Sequence, residues 1–184
     1  MRSFIFVSFL FLSACGNKPN IQSIALADLN NTETHIDPST NALTVVYFLS
    51  PECPLCINYT LAMRQLETAF ASDSLKFYGI FSKEWYSPKE VRAFQLKYDL
   101  GFDLLFDADN ELANALSATV TPEVFVLNSN SKILYSGKID NWVNELGKKK
   151  LEVSDHYLKN ALFAWRDGKS IHPMHTKPVG CVIE

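Results

Sequence analysis

Apolar residues along the chain fall into two kinds of pattern, continuous runs and helix-like spacings. The runs are rich in β-branched and aromatic side chains, and they predict strands at residues 43–49, 75–81, 104–106, 123–127 and 132–136. The first two runs are almost uninterrupted, which is typical of central strands covered on both faces. Polar residues 128–131 separate the last two strands and predict a hairpin.

Four segments have the apolar spacing of helices. The first begins at Cys53 and is expected to bury Leu61 and Leu66. The second begins at Ser87, which is followed by a proline and then by Glu90, the pattern of a capping box. The other two predicted helices start at Asp109 and Ser154, and the four are expected to end near residues 70, 99, 116 and 168.

The order of these elements predicts an α/β fold with a central mixed sheet. Strands that alternate with helices favour a parallel sheet with helices on both faces, and the late hairpin adds antiparallel strands at an edge. Weak alternation over residues 21–36 predicts a short hairpin before the first long strand. We expect one domain at residues 23–168, followed by an irregular, proline-rich tail at residues 169–184.

The N-terminus has the pattern of an export signal. Arg2 supplies a positive charge, and residues 4–12 are apolar except for one serine, a run too short to span a bilayer as a helix. Residues 1–14 are therefore expected to be a signal peptide.

The end of this signal, Leu-Ser-Ala-Cys15, resembles a bacterial lipobox, in which the cysteine is lipidated and the chain is cut just before it. The alternative is an ordinary signal peptide with a chance cysteine. Lipidation of Cys15 would attach the protein to a membrane through a short polar tether at residues 15–22. The expected location is the bacterial cell envelope, facing outside the cytoplasm.

Composition narrows the class of partner. The chain has 184 residues, is 47% hydrophobic and 20% charged, and carries a net charge of -3 without a long run of one sign. No nucleic-acid partner is expected from such a surface. The four cysteines, at positions 15, 53, 56 and 181, are too few for a disulfide scaffold.

The strongest candidate chemistry is Cys53-Pro54-Leu55-Cys56, at the point where a buried strand leads into a helix. A helix N-terminus presents free N–H groups and a partial positive charge, which favour a thiolate over a thiol. Cys53 is therefore the expected attacking sulfur, and Cys56, one turn later, is positioned to resolve a mixed disulfide. Pro54 suits the first helical position because its missing N–H costs no hydrogen bond.

Two other interpretations of the cysteine pair stay open. A structural disulfide across so short a loop would constrain the unfolded chain little. A zinc site would need two more ligands, and the tail residues His172 and His175 are the available ones, at an unusual spacing.

Thr121-Pro122 is a second signal, just before a predicted strand. It fits either a trans proline at a strand start or a cis bond.

Together these features resemble the thioredoxin fold, and more narrowly the redoxin group of alkyl hydroperoxide reductase/thiol-specific antioxidant and TlpA-type proteins. The active-site resemblance lies in residues 48–56, the cis-proline segment in residues 118–127 and the turn after the last strand in residues 137–140. The resemblance covers about residues 24–168. It implies a thiol-disulfide oxidoreductase without a cofactor, which exchanges disulfides with a protein substrate and receives electrons from a donor protein. It also implies that Thr121, Pro122, Pro54 and Leu55 shape a substrate groove.

The chain departs from the family pattern at two positions. Peroxidases of the group carry Pro-x-x-x-Thr/Ser-x-x-Cys; here Ser50 supplies the hydroxyl, but Val46 stands at the proline position, which argues against peroxide reduction. Classical thioredoxins have a buried aspartate six residues before the first cysteine, where this chain has Tyr47.

Cys181 is the odd cysteine in the tail. We expect the tail to fold back so that Cys181 lies near Cys53 as a third redox residue or a metal ligand. Together with His172, Met174 and His175 it supplies soft ligands of the kind that suit copper(I), so a copper chaperone of the Sco type on the same fold is an alternative function. A further alternative is an accessory electron-relay domain of a membrane enzyme.

Overall fold

The computed structural model describes residues 21–71, 73–82 and 85–183. The predicted signal peptide and Cys15 lie outside these residues. Within them, no helix is both long and apolar enough to cross a membrane. Ile21 and Gln22, which the sequence assigns to the tether, instead belong to a 3-10 helix at Ile21–Ser23, in which Ile21 is buried.

The described residues build a seven-stranded mixed sheet in the order β2-β1-β5-β4-β3-β7-β8. Its strands are β1 (Leu26–Ala27), β2 (Glu33–Thr34), β3 (Leu43–Phe48), β4 (Leu75–Ser82), β5 (Asp103–Asp107), β7 (Glu123–Asn128) and β8 (Ile133–Gly137), and a short β6 (Val120–Thr121) precedes β7. β3, β4 and β5 are parallel, whereas β7 is antiparallel to β3 and to β8. The predicted mixed sheet is confirmed.

Helices cover both faces of the sheet, as predicted. They are α1 (Pro54–Ala69), α2 (Pro88–Tyr98), α3 (Glu111–Leu116) and α4 (Tyr157–Arg166). Successive side chains of a strand point to opposite faces, and β3 divides accordingly. Val45 and Tyr47 pack in one cluster with α1, α2 and α4, whereas Val46 and Phe48 pack in the other with α3 and the N-terminal segment.

The register of two strands places the predicted site. In the antiparallel pair of β3 and β7, Phe48 at the end of β3 lies opposite Glu123 at the start of β7. The chain that follows Phe48 leads to Cys53, and the chain that precedes Glu123 contains Thr121 and Pro122. Both segments therefore meet at the same edge of the sheet.

The buried face of α1 differs from the predicted one. The prediction that Leu61 is buried is wrong, because its side chain is 53% exposed. The buried stripe instead contains Tyr59, Met63 and Leu66, whose spacing of four and three residues follows one helix face.

Two helix starts also lie later than predicted. α3 begins after Asn110, not at Asp109, and the buried Asp107 carboxylate accepts hydrogen bonds from the N–H groups of Leu112 and Ala113. α4 begins at Tyr157 because the Asn141 side chain accepts the backbone N–H groups of residues 154 and 155 before the helix starts.

The tail is more ordered than the sequence indicates. Residue 175 forms a bridge with Ser136 of β8, and β11 (Cys181–Val182) pairs antiparallel with β6. An additional short hairpin, β9 (Val143–Glu145) and β10 (Lys148–Lys149), precedes α4. The predicted irregular tail thus adds a strand next to the candidate site, where the free edge of β6 supplies the backbone partners.

Candidate active site

Cys53 is the N-cap of α1. Its backbone is extended, Pro54 occupies the first turn, and the N–H of Ile57 donates to the Cys53 carbonyl at 3.1 Å. The thiol therefore lies at the positive end of a 16-residue helix, as predicted. The side chain is only 2% exposed.

Cys56 lies one turn further into α1 and is fully buried. The backbone N–H of Ser50 donates to its Sγ at 3.4 Å, and the Ser50 carbonyl accepts the N–H of Cys53 at 3.3 Å, so Ser50 contacts both cysteines. Cys53 and Cys56 are both free thiols.

The cis-proline segment closes the site from the other side. The Thr121–Pro122 peptide bond is cis, which settles the choice that the sequence leaves open. The Cys53 thiol lies 3.1 Å from the Thr121 carbonyl oxygen, to which it can donate. Glu123 supports this segment, because its buried carboxylate accepts the N–H of Thr119 at 2.8 Å.

Cys181 reaches the same sulfur from the tail. β11 places Cys181 opposite Thr121, and the Cys181 thiol donates to the Cys53 Sγ at 2.7 Å. This separation is longer than a disulfide bond of about 2.05 Å, and Cys181 is a free thiol. Three sulfurs therefore lie around the N-terminus of α1.

The three thiols differ in acidity. Hydrogen bonds from Cys56 and, to a smaller extent, from Cys181 lower the pKa of Cys53 to about 4, against the opposing effect of burial. Burial raises the pKa of Cys56 well above its usual value. Burial and the hydrogen bond to Cys53 raise the pKa of Cys181 to about 11. Cys53 is therefore the thiolate of the set at neutral pH.

A cavity of about 450 Å³ opens beside Cys53. Its lining includes Trp85, Tyr86 and the two residues of β11. Tyr86 bonds through its hydroxyl to the Ser50 hydroxyl at 2.8 Å, and the Trp85 side chain is 56% exposed. The cavity therefore offers aromatic surface next to the Cys53 sulfur.

Other predicted site residues lie elsewhere. Leu55 is buried in the core cluster and Pro54 is exposed, and the residues that line the cavity beside Cys53 include neither of them, so their place in a substrate groove stays a prediction. His175 bonds to Ser136 through Nδ1, and no cluster of three His, Cys, Asp or Glu residues able to hold a metal occurs among the described residues. The predicted copper cluster of His172, Met174, His175 and Cys181, like the zinc pairing, is therefore not assembled.

The sequence does not identify the two glycines that allow the tail to pack closely against the rest of the fold. A Cβ on Gly180 would collide with the Thr121 carbonyl, and one on Gly137, whose φ is +123°, would collide with the Thr176 backbone. Thr176 also accepts the N–H of Lys138 at 2.9 Å. Nothing in the local pattern marks these contacts, because each partner is distant along the chain.

Comparisons with known proteins agree with this geometry. A hypothetical protein from Sinorhizobium meliloti 1021 is 24% identical, with a TM-score of 0.75 over 86% of this chain and 88% of that one. An uncharacterized conserved protein from Geobacillus kaustophilus is also 24% identical, with a TM-score of 0.76 over 88% of this chain and 87% of that one.

A secreted disulfide oxidoreductase from Mycobacterium tuberculosis, described as homologous to DsbE of E. coli, is 20% identical, with a TM-score of 0.53 over 61% of this chain and 81% of that one. These likenesses show the thioredoxin-like fold. A search of curated proteins finds no match. The model of the AhpC/TSA family, however, matches residues 19–136, which is more than half of the sequence, and the chain therefore belongs to the AhpC/TSA family.

Proposed function

We propose that this protein is an exported, membrane-anchored thiol-disulfide oxidoreductase that exchanges disulfides with a protein partner through Cys53 and Cys56. The observation that carries the proposal is the arrangement of the two thiols. An acidic thiol caps a helix, a second thiol lies one turn behind it, and the cis-proline segment faces the first. Membership of the AhpC/TSA family supports oxidoreductase chemistry.

The unequal acidities give each sulfur a role. The Cys53 thiolate attacks a disulfide of the partner, which forms a mixed disulfide and releases one partner thiol. Cys56 then loses its proton and attacks the Cys53 sulfur, so that the second partner thiol leaves and a Cys53–Cys56 disulfide remains. The partner gains two electrons, and a donor protein then reduces the Cys53–Cys56 disulfide again. With a partner that is the stronger reductant, the same steps run in reverse.

The surroundings of Ser50 favour disulfides over peroxide as the substrate. Its hydroxyl is hydrogen-bonded to Tyr86, and Val46 replaces the proline of the peroxidase motif. We therefore expect catalysis of protein disulfide reduction with no corresponding peroxide turnover.

Single substitutions at each cysteine test the proposal. Reduction of insulin disulfides should fall to the uncatalysed level in Cys53→Ser, whereas the double variant Cys56→Ser/Cys181→Ser, which keeps Cys53 but removes both neighbouring thiols, should accumulate mixed disulfides on Cys53. The reduction potential of the wild-type pair, measured in glutathione buffers, then gives the direction of exchange, since a value near that of thioredoxin indicates a reductant and one near that of DsbA an oxidant. Full insulin reduction by Cys53→Ser would contradict the proposal.

The proposed anchor is lipid on Cys15, which lies outside the described residues. Five residues, 16–20, can span at most about 18 Å when fully extended, so the buried Ile21 would stay close to the membrane surface. The full-length protein expressed in bacteria should enter the detergent phase on phase separation, and Cys15→Ala should remain in the aqueous phase. Cys181→Ala is the matched control and should partition like the wild type; equal partitioning of Cys15→Ala would overturn the anchor.

A further inference from the structure

The tail occupies the edge of the cis-proline segment with main-chain pairing. Cys181 lies opposite Thr121 and Val182 opposite Val120, and the N–H of residue 183 donates to the Thr119 carbonyl at 3.0 Å. An extended segment of a protein substrate that paired with this edge would need the same positions. β11 is thus an internal occupant of the edge that the substrate strand would use.

The tail is fixed in this position at two places. Upstream, Thr176 donates its N–H to the Ser136 carbonyl at 3.0 Å and bonds through its hydroxyl to Tyr135 at 2.8 Å. Downstream, Gly180 passes so close to the Thr121 carbonyl that any side chain would collide with it. Together with the hydrogen bond from residue 183 to Thr119, these contacts hold the chain before and after Cys181.

Burial distinguishes the three sulfurs in their access to a partner. Cys53 is 2% exposed and Cys56 is fully buried, whereas Cys181 retains part of its surface. While β11 is in place, Cys181 is the thiol that a macromolecular partner can reach, and its sulfur touches Cys53 at 2.7 Å.

We propose that Cys181 is a third redox cysteine, which exchanges with the Cys53–Cys56 disulfide and forms a Cys53–Cys181 disulfide that faces the partner. The proposal rests on the thiol-disulfide exchange proposed above. It assigns the tail a catalytic role in addition to its packing.

The exchange balances without an outside oxidant. Cys181 releases its proton to solvent and attacks the Cys53 Sγ; the Cys53–Cys56 bond breaks, and Cys56 leaves with the electron pair and takes up a proton. A partner thiolate then attacks Cys181 at its exposed side, and Cys53 leaves as a thiolate. The partner's second thiol resolves its bond to Cys181, so the partner becomes oxidised by two electrons; a partner disulfide reverses the order.

The acidities support the attack of the partner on the Cys53–Cys181 disulfide. In exchange reactions the sulfur with the lower pKa is the better leaving group, and the pKa of Cys53 is held far below that of Cys181. A partner that attacks a Cys53–Cys181 disulfide at Cys181 therefore expels the better leaving group.

The test is disulfide mapping after mild oxidation. Reduced Cys56→Ser protein is treated with oxidised glutathione, quenched in acid and analysed by mass spectrometry of the intact chain and of unreduced peptides. We expect a species two hydrogens lighter with Cys53 joined to Cys181, and little glutathione adduct because Cys181 displaces glutathione from Cys53. In wild-type protein equilibrated with glutathione buffer, both the Cys53–Cys56 and the Cys53–Cys181 peptides are expected.

A matched pair of tail variants tests whether the Cys53–Cys181 linkage depends on the position of β11. Gly180→Ala in the Cys56→Ser background keeps all remaining cysteines but displaces β11, so the Cys53–Cys181 linkage should be lost and the glutathione adduct on Cys53 should accumulate. Lys177→Ala changes an exposed residue of the same tail and should leave the linkage intact.

The failures are distinguishable. If Cys56→Ser carries glutathione on Cys53 and never links it to Cys181, or if the wild type holds only the Cys53–Cys56 disulfide, the role of Cys181 is wrong and the proposed function stands. If Cys53 acquires neither glutathione nor Cys181, the proposed function itself fails.

Discussion

At the scale of single residues, the site depends on how one sulfur is surrounded by two others. Cys53 accepts hydrogen bonds from Cys56 and Cys181, and the pKa of its thiol falls to about 4 in consequence. An ordinary cysteine, with a pKa near 8.5, is almost entirely protonated at pH 6. The lowered pKa therefore keeps Cys53 a thiolate at a pH at which an unassisted thiol is protonated.

The pH dependence of alkylation tests this acidity. Only the thiolate reacts, so the rate of Cys53 alkylation by iodoacetamide should stay level from about pH 8 down to about pH 5 and fall as the pH drops through about 4. Cys181→Ala removes one donor to the thiolate, and the midpoint should move to higher pH. Mass spectrometry of the Cys53 peptide measures the rate at each pH.

The midpoint, and not the rate at its plateau, is the quantity to compare, because removal of the Cys181 side chain also uncovers Cys53. Lys177→Ala should keep the wild-type midpoint. A wild-type midpoint near 8 would mean that the neighbouring thiols do not stabilise the Cys53 thiolate.

Tyr47 gives a second prediction at this scale. It stands where classical thioredoxins hold a buried aspartate, and its hydroxyl is buried without a hydrogen-bond partner within the described part of the chain. Its ring packs against Phe77 and Phe102. Tyr47→Phe keeps the ring and removes the unpaired hydroxyl, so the free energy of unfolding should rise by about 1 kcal/mol.

Urea denaturation measures this change. Insulin reduction by Tyr47→Phe should equal that of the wild type, since the Tyr47 hydroxyl makes no hydrogen bond to the three described thiols. A loss of activity at unchanged stability would instead identify Tyr47 as a proton carrier for Cys56.

At the scale of elements, continuous apolar runs predict the strands well and local capping patterns predict only some helix ends. β3 is buried at every position, as its run of β-branched and aromatic residues indicates. Asp109 fails as a cap because Asp107, which is buried at the end of β5, already accepts the N–H groups of α3. Ser154 does not begin α4, because its own backbone N–H donates to the Asn141 side chain before the helix starts. In both cases a partner outside the local pattern satisfies the backbone.

Ser87 is a capping signal that the structure confirms. Its hydroxyl accepts the N–H of Glu90, and the Glu90 carboxylate accepts the N–H of Ser87, which completes the capping box of α2. Ser87→Ala should lower the free energy of unfolding by about 1 kcal/mol, because the N–H of Glu90 loses its side-chain acceptor. Ser87→Thr keeps a hydroxyl that can both accept from the Glu90 N–H and donate to the Glu90 carboxylate, and it is the matched control in urea denaturation; equal losses in both variants would show that the cap contributes nothing.

At the scale of the whole molecule, the candidate site is only partly encoded by neighbouring residues. Cys53, Cys56 and Thr121-Pro122 are visible as motifs because each is a short pattern of known chemistry. The contact of Cys181 with Cys53 joins positions 128 residues apart, and it depends on Gly180 fitting under a carbonyl of β6. Proximity of the tail is therefore an expectation from the odd cysteine, whereas its strand pairing and register emerge only from the assembled fold.

Because Cys53 and Cys181 are so far apart in the sequence, the gain in the free energy of unfolding on oxidation shows which two sulfurs are joined. In the chain-entropy account, a Cys53–Cys181 disulfide, which closes a loop of most of the chain, stabilises the fold by about 5 kcal/mol, whereas a Cys53–Cys56 disulfide gives about 2 kcal/mol. Cys56→Ser can form only the first of these at Cys53 and Cys181→Ser only the second. The difference between oxidised and reduced free energies of unfolding should thus be roughly 3 kcal/mol larger for Cys56→Ser.

Urea denaturation of both variants, each in its oxidised and its reduced form, gives these differences. The comparison is matched because both variants lose the Cys53 thiolate on oxidation. The large gain also has a functional meaning: a linked tail cannot leave the edge of β6, so the oxidised protein would present Cys181 in a fixed place until a partner thiol cuts the bond. Equal gains in the two variants would show that the tail closes no long loop. In that case a substrate strand would have to displace β11 in order to reach Cys53.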